Sequence, residues 1–374
     1  MRAGWKIFYA ATLLALLIPG LALDFLVPGS PLVRKLWGLA EIFLFGQIVW
    51  LLWLKKTPGS IWPARLAKAT DEEARRFFFH GLTVALALDG ARLAMGMGFF
   101  GPIEAPYLET FNPTFWGICL VSIEISLILT YWAPPKPVLV LAMGALIAHQ
   151  LLLWLSKDIF AARFQSILYL LLAFSGPGRI WPRAGLLAFA VLTLFGESWF
   201  LNLGIGQGID FPWPDPKVDQ LPVYDRVMSN AAIFVAGDWG LGLEYWEKLD
   251  FFRPGPMPVY ALAYLAIWLG SYGTIAYLLA QSFFLSFLAL KSQSFAVGWP
   301  RVVVWSLSRL MTLNLLLSVV AAGGFMGLYD PIGLAFVGNN QVGALLLAMT
   351  FFIVAWEKFR LCPPGRASQS RDKG

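Results

Sequence analysis

Long apolar stretches recur along the whole chain and are separated by short polar segments. Most are close to the roughly 20 residues that an α-helix needs to cross the hydrocarbon core of a bilayer. The short stretch 164–175 reaches a usable length when 158–163 are added. The pattern predicts an all-α, polytopic integral membrane protein with about ten transmembrane helices. The predicted spans are 6–27, 36–54, 77–100, 113–132, 137–155, 164–175, 184–205, 258–290, 302–326 and 340–357.

Composition and charge fix the environment and the orientation. Only 13% of the residues are charged, against roughly 25% in a soluble domain, so the lipid bilayer is the expected partner. Eighteen Lys and Arg fall on the side of the N-terminus and eight on the other side. Because cytoplasmic loops carry the excess of basic residues, we expect both termini in the cytoplasm and a location in the inner (plasma) membrane. The net charge of +6 follows this topology and does not indicate a nucleic-acid partner.

The spans and polar segments divide the chain into four parts. The first two spans and a cytoplasmic connector occupy 1–76, and 77–182 form a four-span unit. Four further spans occupy 183–357, and they include the outer loop 206–257. The polar tail 358–374 is expected to be disordered.

Part of the outer loop and three Trp-Pro pairs each allow two interpretations. The stretch 229–250 predicts a helix in the membrane interface, or else a re-entrant segment. Trp62-Pro63, Trp181-Pro182 and Trp299-Pro300 are spaced 119 and 118 residues apart. We interpret them as interfacial anchors that begin helices, since Trp suits the headgroup level and Pro suits the first helical turn. The alternative is an internal repeat of the kind that many transporters contain.

Polar residues lie deep within several predicted spans, where charges are costly and commonly functional. Asp89 and Arg92 are three residues apart and therefore share one helix face. Three carboxylates face this one central arginine, so we expect at least one acid to lack a cation and to be neutral. Such an acid beside a histidine indicates a proton relay, whereas the alternative is simple bonding between helices. The candidates for this polar core are Asp89, Arg92, Glu124, His149, Glu197 and Asn314.

A second set of acids is predicted at the outer face. Asp24 and Glu41 are expected at the outer ends of the first two spans. With acids of the loop they could form an outward-facing site for catalysis or cation binding, although we favour solvated surface charge. The loop acids are Asp210, Asp215, Asp219 and Asp225.

Familiar signatures of soluble enzymes are absent from the sequence. It contains no P-loop, no HExxH and no GxSxG motif. The two histidines and two cysteines are too few for a multi-histidine metal centre, a haem centre or a zinc site. No catalytic residue and no metal site are assigned, and the sequence requires no cofactor.

Three segments resemble the four-helix membrane unit of the DoxX/MauE-like proteins. They are LDGARLAMGMGFFG at 88–101, IEISLILTYWAPPKPVLVLAMGALIA at 123–148 and ILYLLLAFSGPGRIWP at 167–182. The resemblance places Glu124 at the family's acidic position in the second helix. It implies a link to quinone-associated redox chemistry, for which a quinone is the possible cofactor, or to cofactor maturation. The ten-span order with its long outer loop is also similar to RodA-type cell-wall glycosyltransferases, in topology alone.

Three classes of function follow. The first is a membrane component that binds a lipid-soluble molecule (a quinone or a lipid) or relays protons, as part of a larger membrane complex. The second is a secondary transporter for a small solute or ion. The third is an enzyme that acts on a lipid-linked substrate at the outer face. We favour the first, because the polar residues cluster at depth and the outer loop contains neither His nor Cys.

Overall fold

The computed structural model describes residues 3–26, 32–54, 71–96, 112–155, 159–175, 180–202, 235–242, 261–293, 299–322 and 334–359. Within these ranges the chain forms ten helices: α1 Ala3–Leu26, α2 Leu32–Trp53, α3 Asp71–Gly96, α4 Pro113–Thr130, α5 Lys136–Leu155, α6 Ile159–Ser175, α7 Ile180–Asn202, α8 Ala261–Gln293, α9 Trp299–Ala322 and α10 Asn340–Phe359. Eight are long and apolar enough to span a membrane, and α6 and α7 contain shorter apolar stretches. The predicted all-α membrane fold is therefore confirmed.

Helix α4 lies at the centre of the bundle. Nearly all of its residues are buried, and it packs against α3, α9 and α6. Asn112 begins the helix, since its side chain accepts a hydrogen bond from the amide of Phe115 at 3.2 Å and Pro113 occupies the first turn. An N-cap residue and an early proline together favour helix initiation at this point. The outer helices α2 and α10 pack together, as do α6 and α7, and α8 and α9.

Helix α2 begins earlier than the sequence pattern predicts. Its first residue is Leu32, whereas we expected the span to begin at residue 36, after the basic pair Arg34-Lys35. Glu41 therefore lies about 14 Å into the helix at 1.5 Å per residue, and not at its outer end. Glu41 and Asp24 are both buried, so the expectation of solvated surface charge at these two positions is wrong.

A short non-helical segment is buried in front of α10. Leu334–Ala335 (β1) and Gly338–Asn339 (β2) form a minimal parallel pair in which Leu334 lies opposite Gly338. Residues 334–337 are almost completely inaccessible, and Phe336 has a positive φ of 67°. Backbone of this kind is tolerated at membrane depth only where protein or water meets its polar groups. Tyr277 of α8 satisfies one of these polar groups, because its hydroxyl donates a hydrogen bond to the carbonyl of Ala335.

Helix α8 is broken near its start. Gly270 has φ 70° and ψ −176°, a conformation that glycine adopts far more readily than other residues. The segment 235–242 of the outer loop docks at this break. The amide of Leu241 donates to the carbonyl of Ile267 at 2.7 Å, and that of Ser271 donates to the carbonyl of Gly237 at 2.9 Å. The break is therefore stabilised by backbone hydrogen bonds from outside the helix.

The docked segment differs from the predicted interfacial helix. Only Val235 and Ala236 are helical in the part of 229–250 that the structure describes, and turns follow them. The reason is three glycines with positive φ, Gly237, Gly240 and Gly242, which do not continue a right-handed helix. Trp181 and Trp299 lie in the first turns of α7 and α9, as the anchoring interpretation of the Trp-Pro pairs predicts. Residues 62–63 and 360–374 lie outside the described residues.

A candidate polar site inside the helix bundle

Glycines allow the acidic residues of α3 and α4 to pack directly against the neighbouring helix. A β-carbon on Gly117 of α4 would lie 3.2 Å from Oδ1 of Asp89 on α3. A β-carbon on Gly81 of α3 would lie 3.4 Å from Cδ of Glu124 on α4, and closer still to its Oε1. Each carboxyl thus lies against the bare backbone of the neighbouring helix. The register is antiparallel, so Asp89 and Glu124 occupy two levels about 10 Å apart along the helix axes.

Asp89 is hydrogen-bonded to His149 of α5. Nδ1 of His149 and Oδ2 of Asp89 form a hydrogen bond, and both side chains are 1% exposed. Oδ1 of Asp89 and Nε2 of His149 have no hydrogen-bond partner among the described residues. An imidazole whose Nδ1–H is fixed by a carboxylate offers Nε2 as an acceptor when neutral and as a donor when charged. The pair can therefore take up and release a proton at Nε2 while its internal hydrogen bond stays in place.

Glu124 forms the second level of the site. The residue is 2% exposed, and its Oε1 has no hydrogen-bond partner among the described residues. Buried polar atoms are nearly always hydrogen-bonded in native proteins, and an exception calls for an explanation such as a catalytic role or a bound water or ion. The Glu124 carboxyl is therefore a second candidate for holding a proton or a polar ligand atom.

Helix α6 connects the two levels through residues that the sequence analysis did not single out. Tyr169 interacts electrostatically with both Asp89 and Glu124, and its hydroxyl lies beside the side chain of Gln165. Gln165 is one turn earlier on α6 and completely buried. Both residues lie in an otherwise apolar stretch. Because they are uncharged, they do not stand out as the charged residues within the spans do. Their i, i+4 spacing is the signal that could have revealed them.

A neutral network lies beside the charged residues. The amide of Gln150 on α5 donates to the carbonyl of Ala162 at 3.1 Å. The hydroxyls of Ser166 on α6 and Thr193 on α7 are 2.7 Å apart. These contacts join α5, α6 and α7 at the level of His149. They hold the α7 side of the site in place. Their partners are all protein groups, so the network positions helices and offers few free atoms to a ligand.

The other predicted core residues are distributed less tightly. Arg92 is half-buried on α3, and the hydrogen-bond partner of Asp89 is His149, from another helix. Asn314 is buried on α9, which packs against α4 and α6. Glu197 lies in α7, and its side chain lies outside the described residues. The structure thus brings Asp89, Glu124 and His149 into one region between α3, α4 and α5.

The outer-face candidates fall into two groups. Asp24 and Glu41 lie between α1, α2 and α10, where the side-chain amide of Asn340 donates to Oδ2 of Asp24 at 2.8 Å. Asp210, Asp215, Asp219 and Asp225 of the outer loop lie outside the described residues. The described part of the chain contains no group of three or more His, Cys, Asp or Glu that could hold a metal ion.

Solved structures include a chain that is similar to this one. No family model and no curated protein matches the chain. A solved chain from a peptidoglycan synthase complex that coordinates polymerization and crosslinking is similar, with a TM-score of 0.48 and 15% sequence identity. The match covers 94% of this chain and 98% of that one. A similarity at this level does not indicate the function of this chain.

Proposed function

We propose that this multi-pass membrane protein carries protons through the polar site between α3, α4, α5 and α6. The observation that carries the proposal is the buried Asp89–His149 hydrogen bond, with Oδ1 and Nε2 left without protein partners among the described residues. A hydrogen bond that merely joined two helices would not require an ionisable pair, and apolar packing would cost less. Glu124, together with Tyr169 and Gln165, adds polar atoms at a second level. The proposed proton path therefore runs along the bundle from one level to the other.

We further propose that these protons are exchanged with a lipid-soluble molecule, a quinone or a lipid. Quinone reduction and oxidation take up and release protons, so a quinone headgroup needs protonatable neighbours inside the membrane. His149, Glu124 and Tyr169 offer hydrogen-bonding atoms of the kind that would bind a quinone carbonyl. The resemblance of 77–182 to the DoxX/MauE-like unit implies the same chemistry. Partner proteins in the membrane would supply or remove the electrons.

Reconstitution in liposomes tests the proton proposal. Purified protein is placed in vesicles that contain a trapped pH-sensitive dye, and a potassium diffusion potential drives proton entry, with and without ubiquinone in the bilayer. We expect Asp89→Asn and Glu124→Gln to reduce the proton flux to that of empty vesicles. Glu72→Gln is the matched control, because Glu72 is an exposed acid at the start of α3. Wild-type flux in both core variants would contradict the proposal.

A secondary transporter is the second candidate, and two observations favour it. α8 is broken at Gly270, and non-helical backbone at 334–339, buried over 334–337, precedes α10. Transporters commonly form solute and ion sites at interruptions of this kind. Counterflow of labelled solutes in the same vesicles distinguishes this candidate from a proton carrier. The third class, an enzyme acting on a lipid-linked substrate, depends on loop acids outside the described residues and remains a prediction.

A further inference from the structure

Another buried acid lies in a different part of the bundle from the polar site. Glu41 is in the middle of α2 and has no exposed surface. Neither of its carboxylate oxygens has a hydrogen-bond partner among the described residues. The nearest neighbours of α2 are α1 and α10, so this acid takes no part in the Asp89–His149 site between α3 and α5. A charged carboxylate without donors is very costly at such a position, and something must neutralise it.

The charges around Glu41 leave a deficit of one positive charge. Asp24 of α1 is 2% exposed and interacts electrostatically with Glu41. Arg34 of α2 is 8% exposed and always carries its charge. Tyr277 of α8 also interacts electrostatically with Glu41 and is neutral as a phenol. Two acids and one arginine sum to −1, and among the described groups one singly charged cation restores neutrality.

The surroundings restrict the size of whatever binds there. A β-carbon on Gly343 of α10 would lie 2.7 Å from Oε1 of Glu41 and 2.6 Å from Cδ1 of Phe336. A β-carbon on Gly38 of α2 would lie 3.4 Å from Oδ2 of Asp24. Because a methyl group does not fit between Gly343 and the Glu41 carboxyl, the space on the α10 side of Glu41 is too small for an organic substrate. A proton or a monatomic ion is the remaining class of ligand.

The nearby backbone offers oxygen ligands. The segment 334–339 is non-helical, so its carbonyls are not all used in a helical ladder, and the carbonyl of Phe336 lies against Gly20 of α1. Pro19 interrupts the hydrogen bonding of α1 at the same place. Hard cations prefer carboxylate and carbonyl oxygens. Unwound backbone beside a buried acid is a recurrent form of sodium and proton sites in membrane proteins.

We propose that Glu41 and Asp24, with the buried backbone of 334–337, form a site for one monovalent cation, Na⁺ or H⁺. The cation neutralises Glu41 and holds α1, α2 and α10 together. This site is separate from the proton pathway proposed above and requires neither a quinone nor the Asp89–His149 pair. Na⁺ and H⁺ compete for the same carboxylate oxygens, so each should weaken the binding of the other.

Thermal unfolding of the detergent-solubilised full chain tests this site with each cation as the probe. Choline chloride is replaced by NaCl at constant ionic strength and at a pH above neutrality. A cation that binds only the folded state raises the midpoint, by an amount on the order of a few degrees for millimolar affinity. In the second arm, Na⁺ is left out and the pH is lowered. We expect wild type and the Glu72→Gln control to respond in at least one arm. The response of Glu41→Gln should be smaller than theirs in that arm, because Asp89, Glu124 and the other acids still bind protons in this variant.

The outcomes separate the two cations and can overturn the site. A response to Na⁺ identifies sodium, and a response to pH alone identifies the proton. Identical responses of wild type and Glu41→Gln in both arms, or no response of wild type in either, overturn the proposal. Should Glu41→Gln fail to fold, Glu41→Asp retains the charge but shortens the side chain. It should need more Na⁺, or a lower pH, to reach the same midpoint, and an unchanged cation dependence would contradict the site.

Discussion

Removing the two partners of the Asp89–His149 hydrogen bond, one at a time and together, should reveal a large coupling energy. Hydrogen bonds between helices in membrane proteins average about 0.6 kcal/mol and reach about 1.7 kcal/mol in double-mutant cycles. Hydrogen bonds to charged groups are worth about 1.5–3 kcal/mol. Both side chains are 1% exposed, so solvent screening is weak. We therefore predict a coupling of about 1.5–2 kcal/mol, at the upper end of the membrane range.

The cycle compares wild type, Asp89→Ala, His149→Ala and the double variant. Reversible unfolding in mixed micelles, followed by the fluorescence of the 17 tryptophans, gives each free energy of unfolding. The exposed pair Glu72–Arg76, with its 2.6 Å contact on α3, is the matched control and should give about 0.3–0.5 kcal/mol. A coupling for Asp89–His149 no larger than that of the control would refute the reasoning, because a buried ionic hydrogen bond could not be so weak.

Two further substitutions test the fold around the interruptions. Gly270→Ala should destabilise the protein by more than about 2 kcal/mol, because φ is positive there and a β-carbon would collide with the backbone of Asp238. Gly90→Ala on α3 is the control, because a β-carbon there meets open space. It should raise the unfolding free energy by up to about 1 kcal/mol. Equal changes in unfolding free energy for Gly270→Ala and Gly90→Ala would contradict the break at Gly270. Tyr277→Phe should lower the unfolding free energy by about 1–2 kcal/mol, since it leaves the buried carbonyl of Ala335 without its donor. An unchanged unfolding midpoint would show that Tyr277 does not stabilise the segment 334–339.

The helices could be predicted because bilayer-spanning segments carry their signal locally. An apolar run of sufficient length has few alternatives to a helix, and each of the ten predicted spans overlaps an observed helix. The error at the start of α2 has a non-local cause. A basic pair normally lies outside a span, but Arg34 is buried beside Asn340, whose side-chain amide donates to its carbonyl at 3.4 Å. That contact joins residues 306 positions apart, and no local pattern indicates it.

The depth of the polar residues could likewise be predicted, but their partners could not. Asp89, Glu124 and His149 were expected in the core because counting residues along a span gives depth directly. The pairing of Asp89 with His149 depends on how closely α4 and α5 approach α3. Gly117 permits that approach, and a single glycine in an apolar stretch gives no sign of the helix it will meet.

The protonation of His149 is the most direct test of the proposed proton site. The chain contains two histidines, and His80 is exposed near the start of α3, so His80→Gln leaves one ring to observe by ¹⁵N NMR. We predict that Nδ1 is protonated and hydrogen-bonded to Asp89, and that Asp89→Asn removes this hydrogen-bond signature from Nδ1. A ring protonated at Nε2 alone, with no hydrogen bond between Nδ1–H and Asp89, would contradict the proton-carrying role.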